Sequence, residues 1–217
     1  MSTWAKEIEQ DLAWRESELG VLKLLLATSP SGGARQRALL RACSAMLYAH
    51  YEGFCKFSWT LMLNTIDAEV HPRCDLAEPL AKRAMADVFK ALRANTSADN
   101  LWSFSTLDFQ SELKLSASFS DEIDTKSNLW PDLARQINAS VGLECPLFGL
   151  HSAELGRLVD RRNKIAHGEK LEIADIKQFQ AFEHSVILVM HDLAVAIVKS
   201  LEEKTYLLHK PDPAAFI

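Results

Sequence analysis

The strongest constraint on the fold is a run of about thirty residues with almost no polar face. From about Ala34 to Ile66, Leu39, Cys43, Met46, His50, Phe54, Phe57 and Leu61 recur by threes and fours on one side. Ala45, Tyr48, Glu52, Cys55, Trp59 and Met62 form a second stripe beside the first. An α-helix apolar over that much of its girth belongs at the centre of a bundle, covered by other helices. The 217 residues contain only eight Gly and seven Pro, too few for the many turns of a strand-rich fold. Other helical patterns surround the central one. Ile8, Leu12, Leu19, Leu22 and Leu26 predict a helix over 3–27, closed by the Ser29–Gly33 run SPSGG. Phe179, Phe182, Val186, Val189, Leu193, Ile197 and Leu201 predict a last helix from about Ile173 to Leu208.

Between these lie less regular stretches. Residues 67–126 read as an insertion, with short helices near Ala77–Phe89 and around Ala98–Leu101. Within it, the segment from Phe104 to Leu115 is read as a minor strand or hairpin. A helix from Asn128, taken as its N-cap, to about Val141 follows from the apolar spacing, with Pro131 in the first turn and Gly142 as the stop. Another spans Ser152 to Ala166 and stops at Gly168. No repeat, low-complexity tract or linker divides the chain, so one all-α helical bundle over 1–217 is expected.

Several function classes are excluded or disfavoured at this level. A net charge of −5 argues against coating nucleic acid by bulk electrostatics. Cys43, Cys55, Cys74 and Cys145 are irregularly spaced, with no C-x-x-C pair and no Cys/His ligand spacing. No metal site, no cofactor and no disulfide framework is expected, and Cys43 and Cys55 read as buried thiols. His184 and His191 lack a third ligand. The N-terminus is charged and has no secretory apolar core, and Val186–Val198 is interrupted by His191 and Asp192. A soluble cytoplasmic protein with no membrane partner is the expectation.

The residues that carry chemistry lie between Leu158 and Glu169, LVDRRNKIAHGE. From Leu155 to Gly168, Arg157, Arg161, Arg162 and Lys164 face one anion, Asp160, a focused basic patch on an acidic protein. Arg162 and His167 are the one Arg–His pair in the chain at a spacing of five. Asn163 and His167, four apart, share a helix face and are placed to meet. Arg162 and His167 differ by about 140° around the axis, so one helix does not gather them. Two copies about a two-fold axis would. A helix-end His that changes charge near neutral pH is a credible proton-transfer group.

This string, Arg, a polar residue, three variable positions and His on the penultimate helix, resembles the signature of the HEPN (higher eukaryotes and prokaryotes nucleotide-binding) superfamily. The segments Tyr48–Lys56 (YAHYEGFCK) and Thr125–Leu129 (TKSNL) are similar to free-standing prokaryotic HEPN ribonucleases of the RiboL-PSP-HEPN type. The resemblance covers most of the chain except 67–126. It implies a bundle that dimerises with its motifs facing each other, and metal-independent endoribonuclease action in toxin–antitoxin or phage-defence systems. By that resemblance Arg162, Asn163 and His167 are the catalytic positions, and RNA and an antitoxin or defence protein are the partners. His167 would move a proton and Arg162 would grip the phosphate, with Asn163 orienting His167 or binding a phosphate oxygen. Glu52 is expected to pair with a cation, one from the motif helix among them. His50 reads as a satisfied core histidine before a catalytic one, and Arg157, Arg161 and Lys164 as surface charge or RNA contacts. Trp102 and Trp130 are candidates to stack a base. The alternative is a non-catalytic HEPN-like module that binds nucleotide, RNA or protein through the same cleft.

Overall fold

The structure is a computed structural model and describes residues 2–119, 123–170 and 175–208. Among them it is all-α, without a strand. Helix α1 (Thr3–Ala27) leads by a short turn into α2 (Ala34–Ala68), which runs through the centre. A 3-10 turn (Arg73–Asp75) precedes the small helices α3 (Glu78–Ala84), α4 (Ala86–Ala94), α5 (Ala98–Ser103) and α6 (Phe109–Lys114). Then come α7 (Pro131–Ser140), the single turn α8 (Leu147–Leu150), α9 (Ser152–Ala166) and α10 (Ile176–Glu203).

Helix α2 packs against α1, α9 and α10, and α10 also covers α1 and α9. The buried positions of α2 take Cys43, His50 and Phe54 from the first stripe of the sequence pattern, Tyr48, Cys55, Trp59 and Met62 from the second, and Leu47, Tyr51 and Ser58 from between them. Met46 is displaced to the exposed rim. Cys43 and Cys55 are buried free thiols. Trp59 donates its indole N–H to Asn138 Oδ1 at 2.8 Å, which satisfies a buried donor and pins α7 to α2. The buried apolar residues form one cluster from Ile8 to Tyr206.

Helix α10 runs unbroken through His191 and Asp192 and is long and apolar enough, by length and composition alone, to cross a bilayer. Its apolar face, Phe179 through Leu201, is the inner wall of the bundle. The helix ends at Glu203 rather than Leu208, because Lys204 turns left-handed. Residues 206–208 instead pair with 75–77 through Ala77 N–H to Tyr206 O (2.8 Å) and Leu208 N–H to Asp75 O (2.8 Å). The expected start at Ile173 lies outside the described residues.

Two readings of the irregular region are corrected. The segment 104–114 is helical, a π turn (Phe104–Asp108) running into α6. The five-residue spacing sets Phe104 against Phe109 at 5.7 Å, and Phe89 of α4 packs on Phe104 at 6.4 Å, so helical packing overrides the strand propensity of these aromatics. The β-like contacts of this region among the described residues are two isolated bridges, Pro72 with Ser116 and Leu76 with Leu207. Asn128 is not an N-cap either. Pro131 opens α7 and holds Trp130 extended (φ −67°, ψ 149°), so the helix cannot begin earlier.

Candidate functional site around Arg162

Helix α9 ends at the motif. Gly168 is left-handed (φ +76°) and follows His167 at the C-cap. The Gly168 N–H donates to Ile165 O at 3.1 Å and the Glu169 N–H to Lys164 O at 2.9 Å, the paired bonds of a Schellman ending. Arg41 from α2 donates to Glu169 O at 2.9 Å and ties this end to the central helix. His167 is thereby left exposed on a defined backbone.

Arg162, half-buried, points back into the protein. Its guanidinium carbon lies 4.8 Å from the centre of the Tyr48 ring. Its Nη1 donates to Asn128 Oδ1 at 3.0 Å and to Asn163 Oδ1 at 3.1 Å. Stacking on an aromatic face leaves the edges of the guanidinium fork for hydrogen bonds. Both bonds use Nη1, so Nε and Nη2 are without hydrogen-bond partners among the described residues. Arg162 lines a shallow cavity of about 220 Å³ with Ala45, Tyr48, Ala49, Glu52, Ile165 and Ala166.

The support beneath Arg162 comes from α2 and the 123–130 segment. The Tyr48 hydroxyl accepts the Leu129 N–H at 2.8 Å, and Glu52 Oε1 accepts the Thr125 hydroxyl at 2.7 Å. Burial raises the Tyr48 phenol well above its ordinary pKa; the Leu129 N–H opposes this and the nearby Glu52 carboxylate adds to it. Tyr48 therefore stays protonated at any ordinary pH.

The predicted residues divide accordingly. Arg162, Asn163 and Glu52 gather in one place, with His167 at the end of the same helix. Glu52 holds the Thr125 hydroxyl, and no ion pair links it to a cation among the described residues. Asn163 turns to Arg162, so its link to His167 is the backbone bond from His167 N–H to Asn163 O (2.9 Å). The helix leaves its path at His167, which explains why the two side chains do not meet. His50 is on the other side of α2, buried against Glu18 at 2.9 Å. Arg157 pairs with Glu154, Lys164 with Asp160 at 2.8 Å, and Arg161 lies over the Phe182 ring at 5.7 Å. Trp102 and Trp130 are both exposed.

Tyr48 and Asn128 were not identified as site residues from sequence. The available signal was the four-residue spacing of Tyr48 and Glu52, which puts two polar groups on one edge of an apolar helix. Among the described residues no group of three or more His, Cys, Asp or Glu side chains could hold a metal ion. The family model described as HEPN_MAE_28990-like HEPN matches residues 4–206. A search of curated proteins and a search of solved structures each returned no match.

Proposed function

The chain belongs to the HEPN_MAE_28990-like HEPN family, and from that premise we propose that it is a metal-independent endoribonuclease. One observation carries the reading. Arg162 is fixed by Tyr48, Asn128 and Asn163 with two donor nitrogens unengaged among the described residues, while the same helix ends on an exposed His167. RNA supplies its own nucleophile, so the protein need only move protons and stabilise charge at phosphorus. His167 takes the proton of the 2′-OH as the O2′–P bond forms. Arg162 binds the non-bridging oxygens as their charge grows. The P–O5′ bond then breaks, and the 5′-oxygen takes a proton from water or from His167 of a second copy. The products are a 2′,3′-cyclic phosphate and a 5′-hydroxyl.

With about 140° between Arg162 and His167, one helix does not close around a phosphate. A homodimer through α9 supplies the composite cleft, and sedimentation giving only monomer with cleavage intact would count against it. Cytoplasmic action in a toxin–antitoxin or phage-defence system, under control of a partner protein, fits a nuclease of this kind.

The test is cleavage of single-stranded RNA in excess EDTA. His167→Ala should lose about 10²-fold or more in rate, the usual scale for general acid–base catalysis. Arg162→Lys should lose most activity, because a point charge replaces a planar fork. RNA with a 2′-O-methyl at the cut site should resist. Products with 3′-hydroxyl ends, or full dependence on added magnesium, would falsify the mechanism. A non-catalytic module that binds RNA, nucleotide or protein is favoured by one fact: no described side chain orients the His167 ring. A pH–rate profile that titrates with His167 decides against that alternative.

A further inference from the structure

We propose that the Thr125–Asn128 turn is a second phosphate-binding element of this site, with Lys126 and Ser127 holding the RNA backbone beside the phosphate gripped by Arg162. The proposal rests on the RNA-binding part of the reading above and goes beyond it in substrate recognition.

The turn is closed by Asn128 N–H to Thr125 O at 3.1 Å. Both central residues are left-handed, Lys126 at φ 50° and Ser127 at φ 70°. Turns of that kind are dominated by Gly, Asn and Asp, because a Cβ is strained there. Among the described residues the other left-handed non-glycines, Val70 and Lys204, are single residues at helix ends, an ordinary place for this conformation. The strain at 126–127 is held by the candidate site itself. Glu52 grips Thr125, Tyr48 grips Leu129, and Asn128 is bonded to Arg162. Asp124 Oδ1 accepts the Lys126 N–H at 2.7 Å.

A turn needed only for its backbone path would be relaxed by Asn-Gly. Lys126 and Ser127 supply side chains instead. Both are exposed, and neither has a hydrogen bond or ion pair from its side chain among the described residues. Arg157 and Lys164 are neutralised by Glu154 and Asp160, whereas the Lys126 ammonium, next to the motif, has no ion-pair partner among the described residues. It lies two Cα steps, at most about 7.6 Å, from Asn128, whose side chain touches Arg162. Strain kept at a functional edge together with an unmatched cation is the pattern of a ligand contact.

The experiment measures binding of a fluorescein-labelled, mixed-sequence single-stranded RNA in the His167→Ala background, across salt concentration, and cleavage in the parent. Lys126→Gln should weaken binding several-fold and flatten the slope of log affinity against log salt by about 0.7, one phosphate contact on a single strand. Lys126→Arg should restore both. The double change Lys126→Asn with Ser127→Gly should raise the melting temperature, since the turn relaxes, yet bind RNA as weakly as Lys126→Gln. A structural role alone would not separate stability from binding in that direction. Wild-type affinity and salt slope in Lys126→Gln and in the double variant, while the parent cleaves RNA, would overturn the turn's role and leave the nuclease standing. Turn-dependent binding without cleavage would support the turn and remove the nuclease. A parent that binds no RNA would remove both.

Discussion

On the α1 side of α2, His50 sits at the centre of a closed polar cluster. Two residues away in either direction, Tyr48 and Glu52 face α9 and the 125–128 turn, about 200° around the same helix. In the first cluster the charged groups meet one another. Arg15, buried, binds Asp11 through Nε at 2.6 Å, reaches His50 O at 3.5 Å and stacks on Trp14 at 4.6 Å. Glu18 lies 2.9 Å from His50, and the Trp14 and His50 rings meet edge-on at 5.3 Å. Gly53 makes room, since a Cβ there would stand 2.9 Å from Arg15 Nη1. In the second cluster the neutral groups are satisfied, while the cation they support keeps donors that no described residue engages at a cavity wall. A buried charge matched on its own side is architecture, and a fixed charge left partly unmatched is poised for a ligand.

The comparison is broken most directly at Tyr48. Tyr48→Ala removes the ring under Arg162 and orphans the buried Leu129 N–H. It should lower unfolding free energy by about 3–5 kcal/mol, the scale of a large aromatic truncated in a core. Tyr48→Phe keeps the ring and loses the acceptor, so about 1–3 kcal/mol is expected in urea denaturation. If Tyr48→Phe also retains cleavage while Tyr48→Ala at matched folding does not, the ring is what positions Arg162. Equal losses of activity would assign the role to the hydroxyl.

Glu52→Gln is a smaller change, because the amide still accepts from Thr125. It should destabilise by about 1 kcal/mol and lower activity more than the exposed Glu202→Gln. Indistinguishable effects of the two would place Glu52 on an indifferent surface.

The first cluster is sharpened by pH. Burial holds the His50 imidazole below its ordinary value of 6.5; Glu18 and Asp11 oppose this, while Arg15 reinforces it. The unfolded chain therefore takes up the proton first as pH falls. His50 contributes full stability above about pH 6.5, and that contribution is lost as pH drops from there towards the lower folded value. Melting temperatures of His50→Gln should fall less steeply than wild type in that window. Cleavage at saturating RNA, near neutral pH, should change little. Parallel pH curves for the two proteins would contradict the burial argument.

Much of this was legible beforehand. The limits of α1, α2 and α9 follow closely from apolar spacing and from the SPSGG run and Gly168 that stop the helices. The Arg–His motif and the segments around Tyr48 and Thr125 were visible as well. What failed depended on competition between local signals. The aromatics of 104–109 favour a strand locally, yet a π turn brings three Phe rings together. Asn128 resembles a helix cap, yet Pro131 starts the helix three residues later and releases the amide to Arg162.

The sequence by itself determined the long helices α1, α2 and α9, the apolar face of α10 and the chemical groups at the end of α9, because periodicity, capping and turn chemistry act over a few residues. Only the tertiary structure decided what those groups touch. Asn128 meets Arg162 across 34 positions, Thr125 meets Glu52 across 73, and Leu129 meets Tyr48 across 81. Such contacts are set by how the helices pack, and nothing in the local spacing encodes which partner a buried donor will find. The site is thus named by a short motif and built by the packing of α2, α9 and one strained turn.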